Sequence, residues 1–454
     1  MGATSRKSRK MELQVIHPHA AGIDVGSESH FVAVAPGSAP GGQDVREFEA
    51  FTGGLHDISR WLKTCGVTRV ALESTGVYWI PLFEVLEADG FDVLLVDPHR
   101  LRNVPGRKSD VIDCQWIQQL HAYGLLSGAF RPEDQICVLR SYVRQRGMLV
   151  EHAAVHIQHM QKALTLMNLK LQHVVSDLTG VTGMKIIRAI LKGFRSPRKL
   201  AEMRDGRCKH TVEEIAKALE GNYRQEHLFA LQQAVELYDV YQRKIQECDE
   251  QLEAYLKQFE SQDPPAPLPP AGRKAQGNAP QFDLRSELHR MLGVDLTEMD
   301  GLDAYTAVKI IGEIGTDMTR WPTVKHFASW LGLCPGTKIT GGRVLSGRTK
   351  PCANKAAMAL RVAAQTLHRS KCALGEFLRQ KKAVLGPAAA ITATAHKMAR
   401  TLYSMLTKRC AYSETRDAAQ DALRKERMLK SLKRKAKHLG FELVSSQPVK
   451  PVLC

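Results

Sequence analysis

An α/β domain followed by an all-α region is the fold class that three features of the sequence predict. Short apolar strands alternate with helical stretches through the N-terminal quarter of the chain. Strand signals then nearly vanish from about Cys137 to Gln262, where two long helical patterns stand instead. A Pro-rich stretch without periodicity, Asp263 to Pro280, separates these from a further helical region. At 454 residues the chain can bury sizeable cores, and a prior of about 100–200 residues per domain allows several of them.

Residues 20–35, AAGIDVGSESHFVAVA, read as two strands around a Gly/Ser turn, and Asp44 to Phe51 alternates as a third, an antiparallel start. LHDISRWLKTCG has a helical period, VTRVALE is a short apolar strand, VYWIPLFEVLEADG is helical and FDVLLVD is another apolar strand. Strands joined through helices extend a sheet in parallel, so the expected sheet is mixed, in the strand order of a ribonuclease H-like fold. Val138 to His173 and Glu226 to Phe259 are the two long helices. In the second, Leu228, Leu231, Ala234, Leu237, Tyr241 and Ile245 recur at threes and fours, as one face of an amphipathic helix. A helical hairpin or coiled-coil stalk is the economical arrangement, and a surface for another subunit is a natural use of it. A separate domain starts near Leu284 and reads as helical to about Ser413, with Gly-rich turns at Asp300 to Leu302 and at Gly341 and Gly342. In the tail, Leu423 to His438 holds eight Lys or Arg against one acid, a solvated basic helix or a nucleic-acid contact.

Lys plus Arg number 64 and Asp plus Glu 47, a net charge of +17. Such an excess favours a polyanionic partner, nucleic acid first, because each phosphate neutralised releases condensed counterions. The ten cysteines include no CxxC pair, which speaks against a zinc knuckle or redox motif and for reduced thiols in a cytoplasmic protein. The basic N-terminus is followed by no apolar stretch, as a secretory signal needs, and Arg6 stands where a myristoylation motif requires Ser or Thr. No run approaches the ~20 apolar residues of a membrane span, so no membrane association is expected.

The chemistry resides in acids. Asp24 sits inside the first apolar strand, where a carboxylate is costly unless it faces a cleft or holds a cation. Glu73 ends a strand expected to be parallel, at the edge where open α/β sheets place their ligands. Asp110 and Asp113, in KSDVID, open a helix and share one of its faces, with Ser109 as N-cap. Singly, each has a bland reading as a turn acid or a complement to the helix dipole; their joint order is what points to a site. Carboxylates converging this way raise one another's pKa unless divalent cations neutralise them, and Mg²⁺ or Mn²⁺ suits an all-oxygen donor set. A pair of such ions supports phosphodiester cleavage. Asp97, beside Pro98, is left to a strand-ending turn.

Asp24 in GIDVG, Glu73 in ALESTGVYW, and Asp110 and Asp113 in KSDVID resemble the DEDD motif of insertion-sequence transposases whose N-terminal domain is like a Holliday-junction resolvase, a RuvC-like domain. After the linker, GLDAYTAVKIIGEIGTDMTRWPTVKHFASWLGLCP, the following TGG and ANKAAMALRVAAQTL are similar to the second, C-terminal transposase domain of that family. The resemblance covers about Gly22 to Thr407 and implies a recombinase that acts on DNA, is guided by an element-encoded bridge RNA, and binds Mg²⁺ at its acidic cluster. It also implies a serine of the second domain that forms a covalent 5′-phosphoserine-type link to DNA. In this chain the serine's place, shortly after GLCP and before a glycine, is held by Thr340 in KITGG, while Ser346 in VLSGRT is also followed by a glycine. Thr340 matches by position and Ser346 by chemistry, since threonine's branching crowds in-line attack. The bland reading of both is a Gly-rich turn with solvent-facing hydroxyls. Arg343, Arg348 and Lys350 would suit phosphate clamping.

The expected organisation is a basic arm (1–18), a RuvC-like catalytic domain (19–136), a helical stalk (137–262), a linker (263–283), a C-terminal transposase domain (284–413) and a basic tail (414–454). The need to hold two DNA ends suggests a homodimer or a dimer of dimers. Competing readings are a structure-specific metal-dependent nuclease, a non-catalytic nucleic-acid-binding protein, and an ATPase opened by GIDVGSE; the last lacks further Gly-rich phosphate loops between Gly90 and Gly183. Weaker signals are a helix-hairpin-helix-like MDGLDAYTAVKIIGEIG with Asp303 in place of its second glycine, His152, His156 and His159 on one helical face, solvated or RNA-facing, and Tyr78 and Trp79, either of which could stack on a base or pack in the core.

Overall fold

The structure is a computed structural model that describes residues 14–98, 109–262, 268, 277–349, 351–413 and 418–443. Most of the expected basic arm and linker, Lys350 and both ends of the basic tail lie outside these residues. The chain divides into two compact units, Met1–Arg131 and Pro132–Cys454.

In the first unit β1 (Ala20–Val25), β2 (Ser29–Ala33), β3 (Val45–Glu49), β4 (Arg69–Glu73) and β5 (Asp92–Val96) form one sheet in the order β3-β2-β1-β4-β5. The first three strands are antiparallel, while β4 and β5 add in parallel after helical crossovers, as the sequence leads one to expect. Side chains alternate across a strand, and this gives the sheet two distinct faces. Ile23, Val25, Val70, Leu72 and Leu95 pack against α1 (Thr52–Thr64) and α2 (Trp79–Ala88) through Leu55, Ile58, Leu62, Leu82 and Leu86. On the other face Ala71 and Val96 meet Ile117 of α3 (Asp110–Ala122). Each of these fully buried aliphatic side chains contributes roughly 1.5–3 kcal/mol relative to exposure.

The second unit opens on two long helices, α4 (Asp134–Leu166) and α5 (Gln225–Leu256). They run antiparallel as a hairpin: the Tyr255 hydroxyl donates to the Gln135 carbonyl at 2.9 Å near one end, and the His152 ring stacks on Tyr241 farther along. At the far end Met160 and Leu164 join Leu228 and Leu231 in a core closed by short helices between residues 171 and 218. Midway, the buried guanidinium of Arg146 pairs with Asp249, donates to the Asn278 carbonyl at 3.1 Å and lies 4.4 Å from the Tyr305 ring centroid. Four segments meet there, and removing either ion alone would leave its partner buried and uncompensated, a loss of about 3–5 kcal/mol.

The C-terminal part of this unit comprises α6 (Leu284–Leu292), α7 (Ala304–Ile314), α8 (Val324–Trp330), α9 (Lys355–Thr366), α10 (Ala373–Leu385), α11 (Pro387–Lys408) and α12 (Ala418–His438). It is not entirely helical. Between α8 and α9, β6 (Lys338–Thr340) and β7 (Arg343–Ser346) form an antiparallel ribbon. Gly341 and Gly342 close its turn at φ 56° and 75°, the paired positive values of a tight two-residue hairpin. Asp303 caps α7, its carboxylate accepting from the Thr306 amide at 2.6 Å. Of the three histidines of α4, His152 and His159 are exposed as expected and His156 is half-buried; His152 and His156 stack on Tyr241 of α5, and His159 meets His156 edge-on. Among the described residues no helix is long and apolar enough to cross a membrane.

Candidate active site

The acids in the first unit are placed by a single close approach. Gly22 lies in β1 beneath α3, and a Cβ there would come within 2.2 Å of the Gln118 amide nitrogen and 2.5 Å of the Cys114 carbonyl oxygen. The Gln118 side-chain amide donates to the Ala20 carbonyl at 3.2 Å. The Ile16 and His17 amides both donate to the Ala122 carbonyl, at 2.8 and 2.9 Å, so the end of α3 lies beside the start of β1 and helix and strand run in opposite directions. One further turn of helix rises about 6 Å, close to the ~6.6 Å of two strand residues. That step carries the helix back to Asp110 and the strand forward to Asp24.

Register supplies the third segment. β1 and β4 pair Gly22 with Ala71 and Ile23 with Leu72, so the next residues, Asp24 and Glu73, leave the ends of neighbouring strands on the α3 face. Thr75 donates to Glu73 at 2.7 Å, while the Ser109 hydroxyl caps α3 by accepting from Ile112 at 3.4 Å. Asp110 and Asp113 occupy the first turn of α3, where the helix dipole favours negative charge.

The electrostatics agree with this geometry. Partial burial, and then the charges of Glu73, Asp110 and Asp113 in that order, push the Asp24 carboxyl up to about 6, against a smaller opposing hydrogen bond from the Val25 amide. Below them burial and the Asp24 charge push the Cys114 thiol up to about 12, so it remains protonated. Among the described residues no three His, Cys, Asp or Glu side chains are gathered as ready-made ligands for an ion. By donor chemistry, an all-carboxylate set of this kind suits a hard divalent cation.

The hydroxyl candidates lie in the second unit, on the ribbon that the sequence reading treated only as a turn. Thr340 pairs with Arg343, Ile339 with Val344 and Lys338 with Ser346; the register shift between Lys338 and Ile339 leaves Leu345 as an extra residue. Directly opposed residues share a face and alternate residues return to it. Lys338, Thr340, Arg343 and Ser346 therefore form one polar, basic face, and Ile339 and Val344 the exposed apolar one. The Ser346 hydroxyl accepts from the Arg348 amide at 3.3 Å. Gly22 and the ribbon are the features that sequence reasoning missed. A glycine within a strand signals close backbone approach, and Gly-Gly between two short β-rich runs signals a hairpin.

Two family models match the chain. One, a DEDD transposase model of the IS110 type described as "Transposase", matches residues 21–169. The other, described as "Transposase IS116/IS110/IS902 family", matches residues 295–378. The first contains all four acids and the second contains both Thr340 and Ser346. A search of curated proteins finds no match.

Proposed function

The chain belongs to the IS110-type transposase family, and from that premise we propose that it cuts and rejoins DNA strands using Asp24, Glu73, Asp110 and Asp113 together with a hydroxyl of the second unit. The observation that supports this best is the arrangement that sets Asp24 and Glu73 near the carboxyl ends of paired parallel strands, on the face covered by the helix whose first turn carries Asp110 and Asp113. Mg²⁺ or Mn²⁺ held by these four side chains would polarise the scissile phosphate and offset the charge that develops on the oxygens in flight. Asp24, kept from ionising easily by burial and then by its acidic neighbours, is the acid that gains most from such a cation. Gly22 and Ser109 fix the approach of the helix that supplies Asp110 and Asp113.

Thr340 or Ser346 provides the nucleophile. Its oxygen attacks phosphorus and forms an ester with the 5′-phosphate, while the 3′ oxygen leaves, takes a proton and becomes a free 3′-hydroxyl. Attack by a different 3′-hydroxyl on the ester then releases the protein and joins the strands. Arg343 and Arg348 bind phosphate oxygens beside this hydroxyl, and Lys350, two residues after Arg348 in the sequence, adds a further positive charge. A guide RNA that selects the DNA, and a homodimer or dimer of dimers that holds both ends, complete the reading; the net charge of +17 suits a protein engaged with two nucleic acids.

The test is a denaturing gel of full-length protein incubated with labelled element-end DNA and Mg²⁺. A covalent adduct is expected that disappears in one of Thr340→Ala and Ser346→Ala and persists in the other. An adduct surviving the double substitution would remove the nucleophile assignment, and cleavage with no adduct at all would favour a nuclease.

A further inference from the structure

Helices α9 to α11 are strongly basic. From Lys355 to Arg409 there are eleven Lys or Arg and one acid, Glu376. A charge run is usually a solvated face, so what separates a binding surface from a coat of loose charges is how the cations are held. Arg379 donates to the Ser370 and His368 carbonyls at 2.6 and 3.3 Å. The Lys382 ammonium lies 3.2 Å from Nε2 of His368. Lys381 of α10 and Lys397 of α11 both lie over the ring of Phe377, at 5.4 and 4.9 Å from its centroid. These four cations are held by carbonyls, an imidazole and a ring, and among the described residues by no carboxylate. Cations on and beside the long hairpin are held differently: Arg188 pairs with Asp239, Lys244 with Glu247 and Lys257 with Glu253, at 2.7–2.8 Å.

A cation fixed by a dipole or a ring keeps its full charge, and four of them on two packed helices repel one another. An anion relieves that repulsion, at little entropic cost because the side chains are already ordered. Successive residues of a helix point about 100° apart, so Lys381 and Lys382 diverge and match several anionic groups rather than one small ion. The position in the fold narrows the polyanion further. α11 packs against α10, α9 and α8, with the Phe327 and Tyr403 rings 5.7 Å apart and the Tyr403 hydroxyl donating to the Trp321 carbonyl at 2.7 Å. The basic hairpin is thereby fixed to both helices that bracket the ribbon of Thr340 and Ser346, and DNA attacked at that ribbon continues past it.

We infer that the α10–α11 hairpin, through Arg379, Lys381, Lys382 and Lys397, binds the phosphate backbone of duplex DNA flanking the cleavage point, whatever its sequence. This rests on the reading of the second unit as the carrier of the attacking hydroxyl. Each phosphate contact contributes roughly 0.9 to the slope of log affinity against log salt.

The experiment measures binding of a labelled DNA duplex of arbitrary sequence to full-length protein by fluorescence anisotropy, from 50 to 300 mM KCl without divalent metal. Lys381→Gln, Lys382→Gln and Lys397→Gln are combined, which spares the structural contacts of Arg379. The triple variant is expected to bind at least about 30-fold more weakly at 100 mM salt, with a slope smaller by about two to three. The same three positions changed to Arg should bind as wild type. A control with Arg188→Gln, Lys244→Gln and Lys257→Gln, of equal net charge, should keep the wild-type slope. An unchanged slope in the first variant, an equal fall in the control, or a loss confined to a labelled RNA of the same length would overturn the inference. The adduct assay run in parallel separates the two claims. A reduced slope with no adduct from wild type removes the hydroxyl reading and leaves the surface; an adduct from wild type with an unchanged slope in the variant removes the surface alone.

Discussion

Gly22→Ala is expected to lower DNA strand cleavage by at least about 100-fold while leaving a folded protein. The added methyl group would meet backbone atoms of Gln118 and Cys114 at 2.2–2.7 Å, and a helix backbone cannot swing aside as a flexible side chain can. Relief requires α3 to lift from β1, and the helix carries Asp110 and Asp113 with it. Overpacking of this kind costs about 1–3 kcal/mol, which a unit with two faces of buried aliphatic residues tolerates. The catalytic loss is expected to exceed the stability loss because strand cleavage depends on placement of the reacting groups within about 1 Å. Circular dichroism melts and a gel cleavage assay, run on the same preparation, make the comparison. Cleavage within a few-fold of wild type would show that the seam at Gly22 does not position the acids.

Asp24→Asn should abolish cleavage and make the metal-free protein more stable at neutral pH. The folded-state pKa of Asp24 is raised from 3.8 to about 6. Below about pH 4 the group is protonated in both folded and unfolded chains and has no effect. As pH rises through the window from about 4 to 6 the unfolded chain loses the proton first, so folding becomes less favourable, and above about 6 the full penalty is present. A shift of this size is worth roughly 3 kcal/mol for a fully buried group, reduced to about 1–2 kcal/mol by the partial exposure of Asp24. The asparagine variant should therefore melt higher than wild type at pH 7.5 and equal to it near pH 4. Added Mg²⁺ should stabilise wild type and close the gap, since a ligand of the folded state raises its stability. A variant less stable than wild type at pH 7.5 without metal would contradict the raised pKa.

The acids were legible because each violates a local rule. Asp24 interrupts an apolar strand, Glu73 ends one, and Asp110 and Asp113 sit at the interval that places two side chains on one helix face. The alternation of strand and helix likewise revealed the mixed sheet, since burial on both faces leaves strongly apolar runs. What could not be read was any feature set by a contact distant in sequence. Gly22 shows nothing in the sequence of its approach to Cys114 and Gln118. Asp303 resembled a defect in a phosphate-binding hairpin, whereas its carboxylate is the helix cap. The β6–β7 ribbon escaped notice because it is short and exposed on both faces, so it lacks the alternation that marks a half-buried strand. Its irregular register, which places Thr340 and Ser346 on one face, has no signature in the sequence.

Isothermal titration of metal-free, full-length protein with Mn²⁺, repeated on Asp24→Asn, Glu73→Gln, Asp110→Asn and Asp113→Asn, asks whether these four side chains act as one site. Each single substitution should weaken the same binding event by tenfold or more, because each removes a negative charge from a common field. Wild-type affinity in two or more of the variants would mean that the acids act independently, and that cleavage at this edge of the sheet must be explained in some other way.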